Sequence, residues 1–153
     1  MRRRSTTIEV AQSIKIGDLS ADTVLAYSNH TQCAVVVPLS VKQSMLALFR
    51  GRGKSTIRAT VQVFAMAVAI LLKTAASQAS RIVIDTEYTG YEKDIEGMVL
   101  SYLRKAGAKV SKDVIVFRAI GKSSEAHRCA IDVHRQKRDP DRVLSLDDFE
   151  ELL

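Results

Sequence analysis

The carboxylate most suggestive of chemistry is Asp85. It ends the apolar run Ile82-Val83-Ile84 and precedes Thr86 and Glu87. That run reads as a short buried strand, and the carboxyl end of such a strand is where open α/β sheets place ligands. A carboxylate there is costly unless it is hydrogen-bonded or meets a cation. Asp85 therefore serves a ligand, caps the turn that follows, or accepts an arginine. A second cluster is basic: Arg50, Arg52, Lys54 and Arg58 surround Gly51 and Gly53, just before a helix that Ser55 or Thr56 can cap. Free N–H groups at a helix start favour anions. A nucleic-acid phosphate suits that place, and a solvated basic turn fits the same residues.

Two other patterns carry less. Gly51-Arg52-Gly53-Lys54-Ser55 looks like the end of a phosphate-binding P-loop. The glycine that the full pattern needs five residues before Gly53 is Leu48, and no buried strand precedes it. His127 and His134 lie two helical turns apart, too far to share one metal ion, and neither cysteine has zinc-ligand spacing with them. No structural zinc site is expected.

The chain has 153 residues, 46% of them hydrophobic and 26% charged, with seven Gly, two Pro and two Cys. That excludes a disordered segment, a collagen-like repeat and a disulfide scaffold, and leaves one domain over residues 1–153. Cys33 and Cys129 read as reduced, packed thiols. Met1-Arg2-Arg3-Arg4 opens a basic tail over residues 1–5 with no apolar signal core behind it. The longest apolar run, Phe64 to Leu72, is far shorter than the roughly 18 residues of a membrane span. A cytoplasmic protein without a membrane partner is expected. The net charge of +6 is unevenly spread, with no Asp or Glu between Asp22 and Asp85. A basic half beside an acid-bearing half suits a polyanion partner.

The elements that must position these residues follow an α/β order. Two stretches of period-two alternation over residues 6–17 predict a strand, and residues 23–28 and 32–37 predict a hairpin around the polar Asn29-His30-Thr31. Pro38 ends it. Residues 41–49 read as a short helix, and a long helix follows from Ser55 or Thr56 to about Ala76. Its part from Val61 to Leu72 is apolar on nearly every side, which predicts burial on most faces. Arg81 to Asp85 is a strand, Tyr91 to Ala106 an amphipathic helix, Asp113 to Ala119 a strand, and Ser123 or Ser124 to about Gln136 a helix. A turn at Asp139-Pro140-Asp141 precedes a last short helix, which Ser145 and Asp148 open in the manner of a capping box. Residues 138–153 are thus a turn and short helix.

Asp85-Thr86-Glu87-Tyr88 after Ile-Val-Ile resembles the Asp-Ser-x-Tyr at the fourth-strand end of the ribonuclease H-like fold family. Ile120-Gly121-Lys122 and Ala126-His127-Arg128-Cys129-Ala130 are similar to the family's late Gly-His turn and following helix. The order of elements over residues 6–136 fits as well. The resemblance implies a single ribonuclease H-like domain with a mixed five-stranded sheet, three antiparallel strands then two parallel, flanked by helices. It implies Mg²⁺ or Mn²⁺ held by Asp85, by Asp18 in Gly17-Asp18-Leu19-Ser20, and by His127 where the family's last acid stands, for phosphodiester hydrolysis. Asp22 rivals Asp18, and Asp132 rivals His127 if the register shifts. Arg50, Arg52, Lys54, Arg58 and Lys122 are the residues expected on nucleic acid. The departures are also plain: residues 55–80 contain no acid where the family's first long helix carries one, and Lys122 stands where a His is common. They point equally to a non-catalytic binding or assembly module, with the apolar helix 61–72 available to a homodimer interface.

Overall fold

The computed structural model describes residues 6–153, so the basic tail expected over residues 1–5 lies outside the described residues. Alternating side chains build the sheet from its middle. In β1 (Thr7–Gln12), Ile8 and Val10 are buried on one face, while Glu9 and Ala11 take the other. β2 (Thr23–Ser28) and β3 (Gln32–Val37) follow as antiparallel neighbours, with Leu25, Val35 and Val37 on the first face and Val24, Ala26 and Ala34 on the second. β4 (Arg81–Asp85) lies parallel to β1 on its other edge, and β5 (Ile115–Arg118) lies parallel to β4. The bounds of β2, β3 and β4 are those that their β-branched and apolar runs predict.

Among the described residues the sheet has six strands, not five. Its order is β5-β4-β1-β2-β3-β6, and the added strand is β6 (Arg142–Val143), parallel to β3. Two exposed residues carry no periodicity for a sequence reading to find. Their neighbours hold them in place. The Asp141 carboxylate accepts the Ala34 N–H at 2.7 Å, the Asp141 N–H bonds the Ala34 carbonyl, and the Leu144 N–H bonds the Val36 carbonyl. Other bounds shift modestly. β1 stops at Gln12, and β5 starts only after a 3-10 turn at Lys112–Val114.

Among the described residues, five helices cover the two faces unequally. α1 (Leu39–Gly51), α2 (Thr56–Leu72), α3 (Glu92–Lys105) and α5 (Leu146–Glu150) share one large core with the Ile8 face of the sheet. α4 (Glu125–His134) alone covers the other face, through Cys129, Ala130 and Val133 on Val24, Ala26 and Ala34. α2 packs against α1, α3 and α5 and against β2 and β3, and 13 of its 17 residues are buried. Each fully buried Val, Leu, Ile or Phe there contributes about 1.5–3 kcal/mol before ordering entropy is set against it. The apolar stretch that was available to a homodimer interface is therefore covered inside the fold. It ends at Leu72, earlier than predicted, and a 3-10 turn at Ala76–Gln78 leads into β4. Among the described residues no helix is long and apolar enough to cross a membrane.

Candidate functional site

Three segments converge at the carboxyl ends of β1 and β4: the β1–β2 loop, the first turn of α2 and the β4–α3 loop. They enclose an open cleft of about 950 Å³, lined among others by Lys15, Asp18, Ser55, Thr56, Glu87 and Tyr91. Tyr88 joins the segments. Its buried ring packs on Phe64 of α2 with centroids 5.0 Å apart, and its hydroxyl accepts the Ile16 N–H at 3.2 Å. Burial pushes the Tyr88 phenol up to about 12, so it stays neutral at any physiological pH.

Asp85 and Glu87 form a carboxyl pair at this point. The register that sets Glu9 beside Val83 carries Asp85 to the α4 face of the sheet, at the end of β4. Its Oδ1 accepts the Ile120 N–H at 3.1 Å, and its carboxylate also shares a hydrogen bond with Glu87. Glu87 is pushed up to about 7, first by burial, then by its hydrogen bond to Asp85 and by that neighbour's charge; Lys15 and Gln12 oppose the shift. Two carboxyls this close do not both ionise readily, so Glu87 keeps a proton well above the usual carboxylate range.

Gln12 completes the cluster from β1. It is 5% exposed, its Nε2 donates at a long 3.5 Å to the Tyr88 hydroxyl, and its amide also bonds the Glu87 carboxyl. Its Oε1 is buried and has no hydrogen-bond partner among the described residues. Buried polar atoms are nearly always satisfied, so an exception asks for a reason.

Asp18 reaches the same cleft in a different state. It is exposed, and its Oδ1 accepts the Ser20 hydroxyl at 2.6 Å and the Ser20 N–H at 3.0 Å. Those bonds, the hydroxyl's first, hold its carboxyl below the usual range. Its rival Asp22 is a helix cap supplied from afar, accepting the Leu39 N–H at 2.7 Å where α1 has no cap of its own. His127 is half-buried on α4. Glu125 of that helix bonds Gln32 of β3 at 3.3 Å, and His127 falls about 200° further round the helix, on the edge turned toward β1 and β4. Asp132 is exposed on the same helix.

Glu87 thus neighbours both Asp85 and Gln12, and Asp18 lines the same cleft as Glu87. Among the described residues no three His, Cys, Asp or Glu side chains converge as a metal centre. Asp18, Asp85 and His127 are not such a group.

The basic residues sit where the sequence placed them. Arg50, Arg52, Lys54 and Arg58 are exposed around the α1–α2 turn, next to the Ser55 and Thr56 wall of the cleft. The Arg50 guanidinium donates to Thr56 Oγ1, and Ser55 Oγ accepts the Arg58 N–H at 3.3 Å to cap α2. Arg58 lies 5.9 Å from the Tyr91 ring and 3.9 Å from Asp94. Lys122 is exposed on the β5–α4 loop, two residues past the Ile120 N–H that Asp85 accepts.

Three residues that matter here were not singled out from the sequence: Glu87, Gln12 and Lys42. Lys42 is fully buried, and its ammonium donates to the Asp18 carbonyl at 2.6 Å, the Ala21 carbonyl at 2.8 Å and Thr23 Oγ1 at 3.0 Å. Burial pulls the Lys42 ammonium below its usual value, against the pull of Asp18 and Asp22. One signal existed: Lys42 stands in the helical row of Met45 and Phe49, a core position. Glu87 has the weaker signal of lying two residues beyond Asp85. No protein-family model, curated protein or solved structure matches the chain.

Proposed function

We propose that this chain is a nucleic-acid-binding protein of ribonuclease H-like arrangement, and that the cleft at the ends of β1 and β4 takes the phosphate backbone. One observation carries the reading: the start of a 17-residue helix, with Arg50, Arg52, Lys54 and Arg58 around it, forms one side of a cleft at the carboxyl ends of central strands. The order of strands supports it. Antiparallel β1, β2 and β3, with β4 and β5 added in parallel on the far edge of β1, is the arrangement that the resemblance at Asp85-Thr86-Glu87-Tyr88 implies.

The test is binding of labelled RNA–DNA hybrid, single-stranded RNA and duplex DNA across a salt series. Affinity is expected to fall steeply with salt. Arg52→Glu with Lys54→Glu is expected to weaken binding to all three and to lower the salt slope by roughly one for each phosphate that the variant no longer neutralises. No binding by folded protein at low salt would overturn the reading.

The Asp85–Glu87 pair favours a second reading, hydrolysis of the bound phosphodiester. Incubation of the same three substrates with Mg²⁺ or Mn²⁺, beside Asp85→Ala, decides it. Cleavage lost in the variant supports a nuclease, and no cleavage leaves a binding module.

A further inference from the structure

We propose that the cleft seats one unstacked nucleobase against Tyr91 and Ile57, while the phosphates beside that base lie along Arg50, Arg52, Lys54 and Arg58. The ligand is then single-stranded nucleic acid. This rests on the phosphate-backbone reading above and deepens it by naming the form of strand that the site takes.

The apolar lining is the first support. Ile57, in the first turn of α2, is 38% exposed, and Tyr91 is half-buried; both line the cleft. The Arg58 guanidinium lies over the Tyr91 ring at 5.9 Å, within cation–π range, and is itself exposed. An aromatic ring and a guanidinium plane are the surfaces on which unpaired bases stack. The hydroxyls of the α2 wall are already engaged within the chain. Ser55 accepts the Arg58 N–H, Thr56 accepts from Arg50, and Thr60 donates to the Thr56 carbonyl. That wall suits the face of a base more than its hydrogen-bonding edge, so the recognition is tolerant of sequence.

Charge is the second support, and it separates base from phosphate. Four exposed cations stand at the α1–α2 turn, at one side of the cleft. Within the cleft, Ser20 holds the Asp18 carboxyl below the usual range, so it is ionised at neutral pH, and Lys15 is its counterweight. A phosphate drawn inward meets the Asp18 carboxylate, whereas an uncharged base does not. Phosphates therefore stay on the basic side and the base turns in. A duplex cannot divide itself this way without breaking a pair, because its bases are already stacked and paired inward.

The experiment is fluorescence anisotropy of the full chain with three probes at one salt concentration: a labelled single-stranded RNA, the same strand annealed to complementary DNA, and the same strand carrying abasic sites. Electrostatics alone favours the duplex, whose charge is denser, so a preference for the single strand reports on its bases. The intact single strand is expected to bind more tightly than either other probe. Tyr91→Ala should weaken it by about tenfold, the scale of one lost base–aromatic stack, and leave hybrid binding and the salt slope unchanged. Tyr91→Phe should bind as the native chain does. Ile57→Ser, at an exposed position, should act in the same direction and decides the matter if Tyr91→Ala does not fold. Equal affinity for single strand and hybrid, an abasic strand bound as tightly as the intact one, or a Tyr91→Ala loss shared by the hybrid would overturn the proposal. Each of those outcomes leaves the phosphate reading standing, whereas no binding of any probe by folded protein defeats both.

Discussion

Two polar clusters adjoin the loop between β1 and β2, and they bury their polar groups in opposite ways. At the α1 side, Lys42 is fully buried and all three of its protons are placed, on two backbone carbonyls and Thr23. Beside it Asp22 caps α1 through the Leu39 N–H. At the β4 side, Gln12 is nearly as buried, its oxygen meets no partner among the described residues, and Glu87 shares a hydrogen bond with Asp85 beside an open cleft. The first is a closed knot that fixes the course of the chain from Asp18 to Thr23. The second keeps unmet bonding capacity next to solvent, which is how a binding site differs from a structural tie.

The largest effect should come from breaking the closed knot. Lys42→Met leaves two carbonyls and a hydroxyl without their shared donor, and a loss of about 3 kcal/mol of stability is expected. For a domain of this size that is a fall in Tm of about 10 °C, read by thermal unfolding. An unchanged Tm would mean that the loop finds other donors. On the open side, Tyr88→Phe removes the acceptor of the Ile16 N–H and the partner of Gln12. A loss of about 1–2 kcal/mol is expected, with faster amide exchange at Ile16 as its local sign.

The carboxyls on the two walls of the cleft should respond to pH in opposite directions. Glu87 is raised to about 7 from 4.5, so between those values the folded chain holds a proton that the unfolded chain has released. Stability contributed by this group is full below about pH 4.5 and falls as pH rises through 7. Glu87→Gln should flatten that limb by about 1 kcal/mol, a figure already reduced for a half-exposed group. Denaturant midpoints from pH 4.5 to 8 measure it, and an identical slope in the variant would remove Glu87 as the cause. Asp18 gives the smallest effect and the reverse sign. Its carboxyl is lowered below 3.8 by Ser20, so its contribution is present above that value and is lost as pH falls through the lower folded one. Asp18→Asn should change the unfolding midpoint slightly at neutral pH and less still in acid.

How much of this was legible depends on the distance over which each residue finds its partner. Strand β4 and the hairpin β2–β3 stand at their expected bounds, because a short apolar run bounded by turn residues is a local pattern. The capping box of Ser145 and Asp148 is local too, and it forms as read. β6 escaped because its two residues are placed by Ala34 and Val36, more than a hundred positions away. The basic cluster was visible as a run, whereas its position beside a cleft required Glu87 and Tyr88 to arrive from β4.

By itself the sequence determined the α/β order, the buried run of α2, the hairpin, and Asp85 as the acid at a strand end. Those follow from periodicity, capping and the cost of a carboxylate beside apolar residues. Only the tertiary structure decided that Glu87 neighbours Asp85 and Gln12, that Asp22 caps α1 and Lys42 ties down the β1–β2 loop, and that α2 is covered within the chain. Gln12 and Tyr88 are 76 residues apart, and Lys42 is 24 from the carbonyl of Asp18. No local pattern encodes such pairings, because they exist only after the sheet has set β1 beside β4 and helix packing has brought α1 over the loop that follows β1.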